Sequence, residues 1–382
     1  MTDQEALRAL NAVPGLGPRR IRACCREAGG ARRVFQCHEL RLSCIEGIGT
    51  ELAHRIRTFD CRRFLINENR LLKELSADVL THDNAQYPRL LKEVPDPPPV
   101  IYIKGDPAVL DSLPGIAIVG SRRASFYGRE VASRFSAELA ECGFNVISGM
   151  ARGIDAAAHE SALRAGGITT AVLGSGLADI YPVENRRLFE QISGQGLVLS
   201  EFPLQTAPIP GHFSRRNRIV SGLALGVVVV EAASRSGALI TARLAMEQGR
   251  EVFAVPGRID QSRSRGTHRL LREGACLVQE AGDILEELAV HLQRFRPPDE
   301  VLQKEKKEDF SDALSAAAPQ QQRILTVLRD GPRHIDQLTA ACEATLQNTI
   351  SSVLCLECDG RIKRLPGNIF QLNPKSAKRT YG

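Results

Sequence analysis

One pattern constrains this chain more than any other: a short apolar run, a turn of small residues and then a helical pattern, repeated from Gly115 to Gly257. The first copy reads GIAIVGSRRASFYGRE. Its run Ile116 to Val119 is too short and too β-branched for a helix of its own. It passes straight into Gly120, Ser121, Arg122 and Arg123, which reads as a buried strand ending in a phosphate-binding turn. FNVISGMARGIDAAAHESAL, TTAVLGSGLADIYPVENRRLFEQI, GLVLSE, GVVVVEAASRSGALITARLAMEQG and EVFAVPGR repeat the grammar. Strands alternating with helices predict an α/β fold, a parallel sheet covered on both faces with ligands beyond the carboxyl ends of its strands. The glycines and arginines of those turns are therefore expected to meet in one crevice.

The 382 residues suffice for two or three domains, and no stretch approaches the ~20 apolar residues that a membrane span requires. The first residues, MTDQEALRAL, hold no signal-peptide core, so a cytoplasmic protein with no membrane partner is expected. The 10 cysteines are irregularly spaced and read as thiols in a reducing compartment. Cys355 and Cys358, with Cys342 and His334 nearby, invite a zinc site. Both fall in a helical pattern and no second CxxC follows, so packed thiols are the better reading, and neither metal nor cofactor is expected. The net charge of +6 hints at a polyanionic partner, and the central turns concentrate the arginines.

The flanks differ from this core. Residues 1–72 read as a helical unit, with two similar turns at Val13-Pro14-Gly15-Leu16-Gly17 and Ile45-Glu46-Gly47-Ile48-Gly49. The pattern resembles the helix-hairpin-helix motif, whose turn leaves N–H groups free for a phosphate; a sterile-alpha-like bundle using its glycines for tight turns is the alternative. The prolines Pro95, Pro97, Pro98 and Pro99 deliver an extended segment into a strand from Val100 to Ile103, within a central domain assigned to 78–292. Its final helix is expected at Asp283 to Leu292. Residues 293–318 read as a solvated linker, and 319–372 as the three helices and hairpin of a winged helix. The third helix of that unit, Thr345 to Cys358, contains no Lys or Arg, which favours contact with protein over a DNA duplex. Arg361, Lys363 and Arg364 in the wing keep duplex contact open.

Among the turns, Gly120 and Gly128 have the spacing of neither a dinucleotide fingerprint nor a P-loop. What they offer is a helix N-terminus with Ser121, Arg122 and Arg123, suited to the phosphates of a strand. Gly149 and Arg152 lie in the second turn, where Asp155 reads as the cap of the next helix. Arg187 follows near Tyr181. The densest signal is Pro210-Gly211-His212-Phe213-Ser214-Arg215-Arg216-Asn217-Arg218. Charge beside an aromatic is what a groove tracking a single strand requires, and cations at a helix start oppose its dipole, so a partner is expected for them.

Together GSRRAS, SGMARGID, LGSGLADIYPVEN, SEFPLQTAPIPGHFSRRNRIVSGLA, VVVEAASRSGALITARLAMEQGREVFAVPG and SRGTHRLLREGA resemble the DNA-processing protein A (DprA/Smf) family across the central domain in order. The resemblance implies an extended Rossmann-like domain that binds single-stranded DNA without hydrolysing it, so not an enzyme. It also implies a homodimer through that domain and a recombination mediator that loads RecA recombinase onto incoming DNA in natural transformation. Carried over by motif, the nucleic-acid-binding residues would be Gly120, Ser121, Arg122, Arg123, Gly149, Arg152, Arg187, Phe213, Arg215, Asn217 and Arg218. Ser214 stands where the family often has proline, and His268 where it usually has asparagine. A phosphoribohydrolase of the lysine-decarboxylase-like kind would need a PGGxGTxxE run, but SRSGALITARL has no Glu until Glu247. A duplex-binding regulator using the winged unit is the other alternative.

Overall fold

The computed structural model describes residues 1–292 and, beyond them, 319–342, 344, 349, 352–353, 356–357, 361–365 and 369–373. They fall into two compact units, Met1–Phe295 and Arg296–Gly382. In the first, six helices come before the sheet: α1 (Asp3–Ala12), α2 (Pro18–Ala28), α3 (Ala31–Val34), α4 (Glu39–Ser43), α5 (Thr50–Thr58) and α6 (Cys61–Leu75). Strands β1 (Asp78–Thr81), β2 (Val100–Gly105), β3 (Gly115–Val119), β4 (Asn145–Ser148), β5 (Thr169–Val172), β6 (Leu197–Ser200), β7 (Gly226–Val229), β8 (Glu251–Ala254) and β9 (Cys276–Leu277) follow. Between them lie α7 (Arg89–Lys92), α8 (Val109–Ser112), α9 (Phe126–Glu141), α10 (Ile154–Arg164), α11 (Arg186–Gln195), α12 (Pro210–Gly222), α13 (Gly237–Glu247) and α14 (Arg265–Arg272). The expected helix from Asp283 to Leu292 is instead two short ones, α15 (Ala281–Glu287) and α16 (Ala289–Leu292), parted at Leu288.

The sheet order is β1-β2-β6-β5-β4-β3-β7-β8-β9. Every residue of β3 to β7 is buried, which is why these strands read as unbroken apolar runs rather than alternating ones. Side chains still alternate between faces. Ile116 and Ile118 join the core under α9 and α10 with Phe135, Val146 and Phe253; Ala117 and Val119 join the opposite core with Ile219, Val227 and Ala242. From β6 to β9 neighbouring strands are parallel. One edge departs from the parallel pattern: β1 and β2 are antiparallel, with Leu80 opposite Ile101, and β2 runs antiparallel to β6, with Ile103 opposite Leu199. The proline-rich connection from β1 to β2 turns the chain back beside β1 instead of carrying it over a face of the sheet. The order reverses between β3 and β7, so β3 to β6 spread to one side and β7 to β9 to the other.

The helical unit is docked on this sheet. Helix α6 runs past the expected boundary at residue 72, and its Leu71 shares a core with Val100, Tyr102 and Leu204. The buried carboxylate of Glu68 accepts from Leu204 N at 2.9 Å, and Asn11 Nδ2 donates to Glu201 O at 2.8 Å. The two look-alike turns share one geometry. Gly15 and Gly47 take φ of +86° and +77°, Leu16 and Ile48 enter the core, and Gly17 and Gly49 cap α2 and α5 without a side-chain hydrogen bond. Only glycine adopts that left-handed turn without strain.

The second unit contains α17 (Pro319–Leu328) and α18 (Ile335–Ala341) with β10 (Arg333–His334), β11 (Ile362–Leu365) and β12 (Ile369–Leu372) in the order β10-β12-β11. Ile324, Leu325, Leu338, Val353, Leu356 and Phe370 form its core. Of the expected helix from Thr345 to Cys358 only 349, 352–353 and 356–357 are described, with Val353 and Leu356 buried. The expected linker 293–318 and the cysteines Cys355 and Cys358 lie outside the described residues.

Between α10 and β5, His159 is fully buried with its Nδ1 2.6 Å from Thr169 Oγ1. Burial, reinforced by the charge of Arg216, pulls its pKa down to about 3. The unfolded chain takes up this proton near pH 6.5 and the folded chain does not. Stability is therefore lost as pH falls from 6.5 towards 3, by about 2 kcal/mol at pH 5. Urea unfolding at pH 7 and pH 5 should show that loss in the wild type and a flatter dependence in His159→Asn. Equal slopes would assign the acid sensitivity to other groups.

Candidate nucleic-acid interface

The turns after β3, β4 and β5 converge with the start of α12. Arg122, Gly149, Ala151, Arg152, Tyr181, Pro182 and Phe213 line a small notch of about 30 Å³. The Arg122 guanidinium carbon lies 4.9 Å from the centre of the Phe213 ring, and the Tyr181 ring packs against Phe213 with centroids 5.5 Å apart. Gly174, in the turn after β5, makes room: a Cβ there would sit 2.7 Å from Phe213 Cδ1. Asn185 Nδ2 donates to Met150 O at 2.8 Å, tying the YPxxN segment to the second turn. Arg152 is exposed and pairs with the exposed Glu184, an exchangeable contact.

Around the notch the cations differ in availability. Arg122 and Arg123 are exposed, and Arg187 is exposed in the first turn of α11. Ser121 serves its own turn. Its hydroxyl accepts from Arg123 N at 3.1 Å and its carbonyl from Ile154 N at 3.3 Å. Gly120 is packed against α10, where a Cβ would lie 2.6 Å from Ile154 Cγ1. Asp155 is not the cap of α10. Gly153 holds that position, and the Asp155 carboxylate reaches back to Ala151 N at 3.3 Å. Burial pushes the Asp155 carboxyl up from its usual value, while Arg216 pulls it back.

The N-terminus of α9 is closed to phosphate, contrary to the expectation for the first turn. The buried Glu231 carboxylate, just past the end of β7, accepts from Ser125 N at 2.9 Å and from the Ser125 hydroxyl, whose oxygen in turn accepts from Gly128 N at 2.9 Å. The protein's own anion thus occupies the switch point between β3 and β7, where a dinucleotide pyrophosphate would otherwise sit. Gly128 leaves space for that carboxylate.

The arginine segment is likewise corrected. It is not the exposed start of a helix: α12 begins at Pro210, so Arg215, Arg216 and Arg218 lie beyond its first turn and the dipole argument loses its force. Their partners are internal. Arg215 Nη2 donates to Glu201 Oε2 at 2.9 Å, and Arg218, with a side chain 6% exposed, pairs with the same fully buried carboxylate. Arg216 is buried, and its Nη1 donates to Gly149 O at 2.7 Å and to Val172 O, so one guanidinium ties the ends of β4 and β5 together. Burial lowers its pKa to about 10, which leaves it charged at neutral pH. Gly149 is there because a Cβ would collide with that guanidinium. Asn217 turns away, donating to Gly237 O at 3.3 Å. Arg215 and Arg218 line a different recess from the Arg122 notch.

Sequence reasoning missed Glu201, Glu231 and the role of Arg216. The available signal was an acidic residue at the end of an apolar strand, in VLSE and VVVVE, on a sheet whose turns are rich in arginine. His268, the departure from asparagine, hydrogen-bonds Gly257 O through Nε2 at 2.9 Å and joins α14 to the loop after β8.

Residues 78–289 match the family described as DNA recombination-mediator protein A, and residues 308–368 match the DprA winged helix domain. Protein Smf of Synechocystis sp. is 33% identical, over 95% of this chain and 97% of its own length. Protein Smf of Escherichia coli is 39% identical over 79% of each chain. Among solved structures, DNA processing protein A from Streptococcus pneumoniae aligns with a TM-score of 0.63 at 35% identity, over 75% of this chain and 98% of its own. DNA processing protein A from Helicobacter pylori, described for its single-stranded DNA binding mode, aligns at 0.51 and 32% identity, over 56% of this chain and 96% of its own.

Arg216→Met should unfold the protein more easily, by about 3 to 5 kcal/mol, because it strips Asp155 of its buried counter-charge and two carbonyls of their donor. Urea denaturation would measure it. A loss below about 1 kcal/mol would mean that the turns hold together without this guanidinium.

Proposed function

Because the chain belongs to the DNA recombination-mediator protein A (DprA/Smf) family, we propose that it binds single-stranded DNA at the notch around Phe213 and hands the strand to RecA recombinase during natural transformation. One observation carries the binding reading: an exposed guanidinium, Arg122, stacked on an aromatic ring where three strand-end turns converge. Guanidiniums hold phosphate oxygens irrespective of sequence, and a ring takes any base on its face. Arg123, Arg152 and Arg187 extend the charge along the rim, with Arg152 exchanging Glu184 for a phosphate. Arg215, Arg218, Gly149 and Gly120 support this surface from behind rather than touching the strand there, because their environments are already filled.

The functional divisions we propose are 1–72, 78–292 and 319–372, with a homodimer formed through the middle one and a cytoplasmic site of action. No described helix is long and apolar enough to cross a membrane. Loading RecA and serving competence rest on the family's description as a recombination mediator. The carboxylate at the switch point, Glu231, is buried and committed to Ser125, so it is not available as a general acid or base for cleaving a nucleotide.

Fluorescence anisotropy with oligothymidylate should give binding that weakens steeply with salt, varies little with base composition and exceeds binding to duplex of the same length. Phe213→Ala should cost about 1 to 3 kcal/mol, and Arg122→Ala should weaken all sequences alike. Equal affinity for duplex, or an Arg122→Ala protein that binds like the wild type, would refute the assignment.

A further inference from the structure

Behind the notch, a cleft of about 670 Å³ separates α12 and α13 from the first hairpin turn of the helical unit. One wall is the run from Gly15 to Arg20; the other carries Phe202, His212 and Arg215, with Ile240 and Leu244 contributed by α13. The volume is that of a small-ligand site.

Its charge is unbalanced. Arg215 and Arg218 are answered by Glu201, and Asp96 lies 3.7 Å from Arg218 Nε. Arg19 and Arg20 are exposed on the opposite wall, and among the described residues neither has an acidic partner; Arg20 Nη1 only donates to Gly15 O at 2.9 Å. The facing wall is a stack of flat groups. The His212 and Phe202 rings lie 4.1 Å apart at 25°, and the Arg215 guanidinium carbon is 5.2 Å from the Phe202 centroid. Burial, then the charge of Arg215, lowers the His212 pKa, which favours the neutral ring. A recess with a cationic side, a planar side and apolar patches from Leu16, Ile240 and Leu244 matches the three parts of a nucleotide: phosphate, base and sugar.

The cleft and the notch also share one helix. Phe213 faces the notch while its neighbours His212, Ser214 and Arg215 line the cleft, and Gly211 and Ser214 are exposed. Consecutive residues of a helix are only about 1.5 Å apart along its axis, so a strand crossing this turn passes from one recess to the other within a nucleotide or two.

We propose that this cleft is a second nucleotide site, with Arg19 and Arg20 binding a phosphate and the Phe202–His212 wall facing the base. The proposal rests on the single-strand reading above. Its ligand is a nucleoside phosphate, arriving either as a unit of the strand held at Phe213 or as a free nucleotide. In this arrangement the first hairpin turn contacts an unpaired strand, since a recess of this size does not admit a duplex.

The test uses the full chain, with dT5 and dT20 titrated by anisotropy at several salt concentrations. Arg19→Glu/Arg20→Glu should weaken dT20 about tenfold or more and flatten its salt slope by about 0.7, the loss of one neutralised phosphate. Affinity for dT5, which by the same geometry is long enough to enter both recesses, should fall as well, and an unchanged melting temperature shows that the variant folds. If dT20 binds the double variant as it binds the wild type while Arg122→Ala weakens both oligonucleotides, the cleft is refuted and the strand reading stands. If the wild type binds neither, both fall. Thymidine monophosphate that raises the melting temperature of the wild type but not of the double variant marks the cleft as open to free nucleotides. No shift alongside the dT20 effect restricts it to the strand, and either result supports the site.

Discussion

The buried carboxylate of Glu201 is the contact on which the organisation of this surface depends. It stands just past the end of β6, carries no exposed surface, and takes guanidiniums from Arg215 and Arg218 of α12. A carboxylate so desolvated is tolerable only with its charge matched; here both guanidiniums meet Oε2 while Oε1 is buried without a hydrogen bond, and stripping away one partner leaves the charge less compensated. The pairing therefore pins α12 to the carboxyl end of β6 and, through the Asn11 bond to Glu201 O, holds the helical unit against the same place. Arg216 adds a second anchor across the ends of β4 and β5, balanced by Asp155.

With those charges internally matched, the surface chemistry is left to a smaller set. Arg122 stacked on Phe213, and Arg123 and Arg187 exposed, are cations held on turns whose backbones are fixed by Ser121, Asn185 and Glu231. A rigid support matters because a charged side chain ordered only on binding costs entropy at that moment. Closing the α9 N-terminus with Glu231 has a second effect. It fills the place at which Rossmann-like sheets hold a pyrophosphate and leaves the exposed guanidiniums of the turns as the cations open to solvent.

Much of this was legible in the residue order. The apolar runs placed β3 to β8, the glycine turns placed the crevice at their carboxyl ends, and Arg122, Arg152 and Phe213 do meet there. The paired Gly-Leu-Gly and Gly-Ile-Gly turns predicted a repeated geometry, and Gly15 and Gly47 share it. The direction of β1 and β2 was not legible, because an extended segment of four residues pairs equally well either way until its connection is known. The cap of α10 was misassigned for a similar reason: an aspartate one residue inside a helix and one at its cap look alike along the chain.

The arginine segment shows the boundary most clearly. The order of residues by itself determined that a parallel α/β sheet would form and that guanidiniums would gather at one of its ends, since periodicity and turn chemistry are local properties of the chain. Only the tertiary structure decided that Arg122 meets solvent over an aromatic ring while Arg218 meets a buried carboxylate 17 positions away. A guanidinium is the same group in both settings. What distinguishes a binding charge from a structural one is the dielectric around it and the partner folded against it, and neither is a property of its neighbours in sequence.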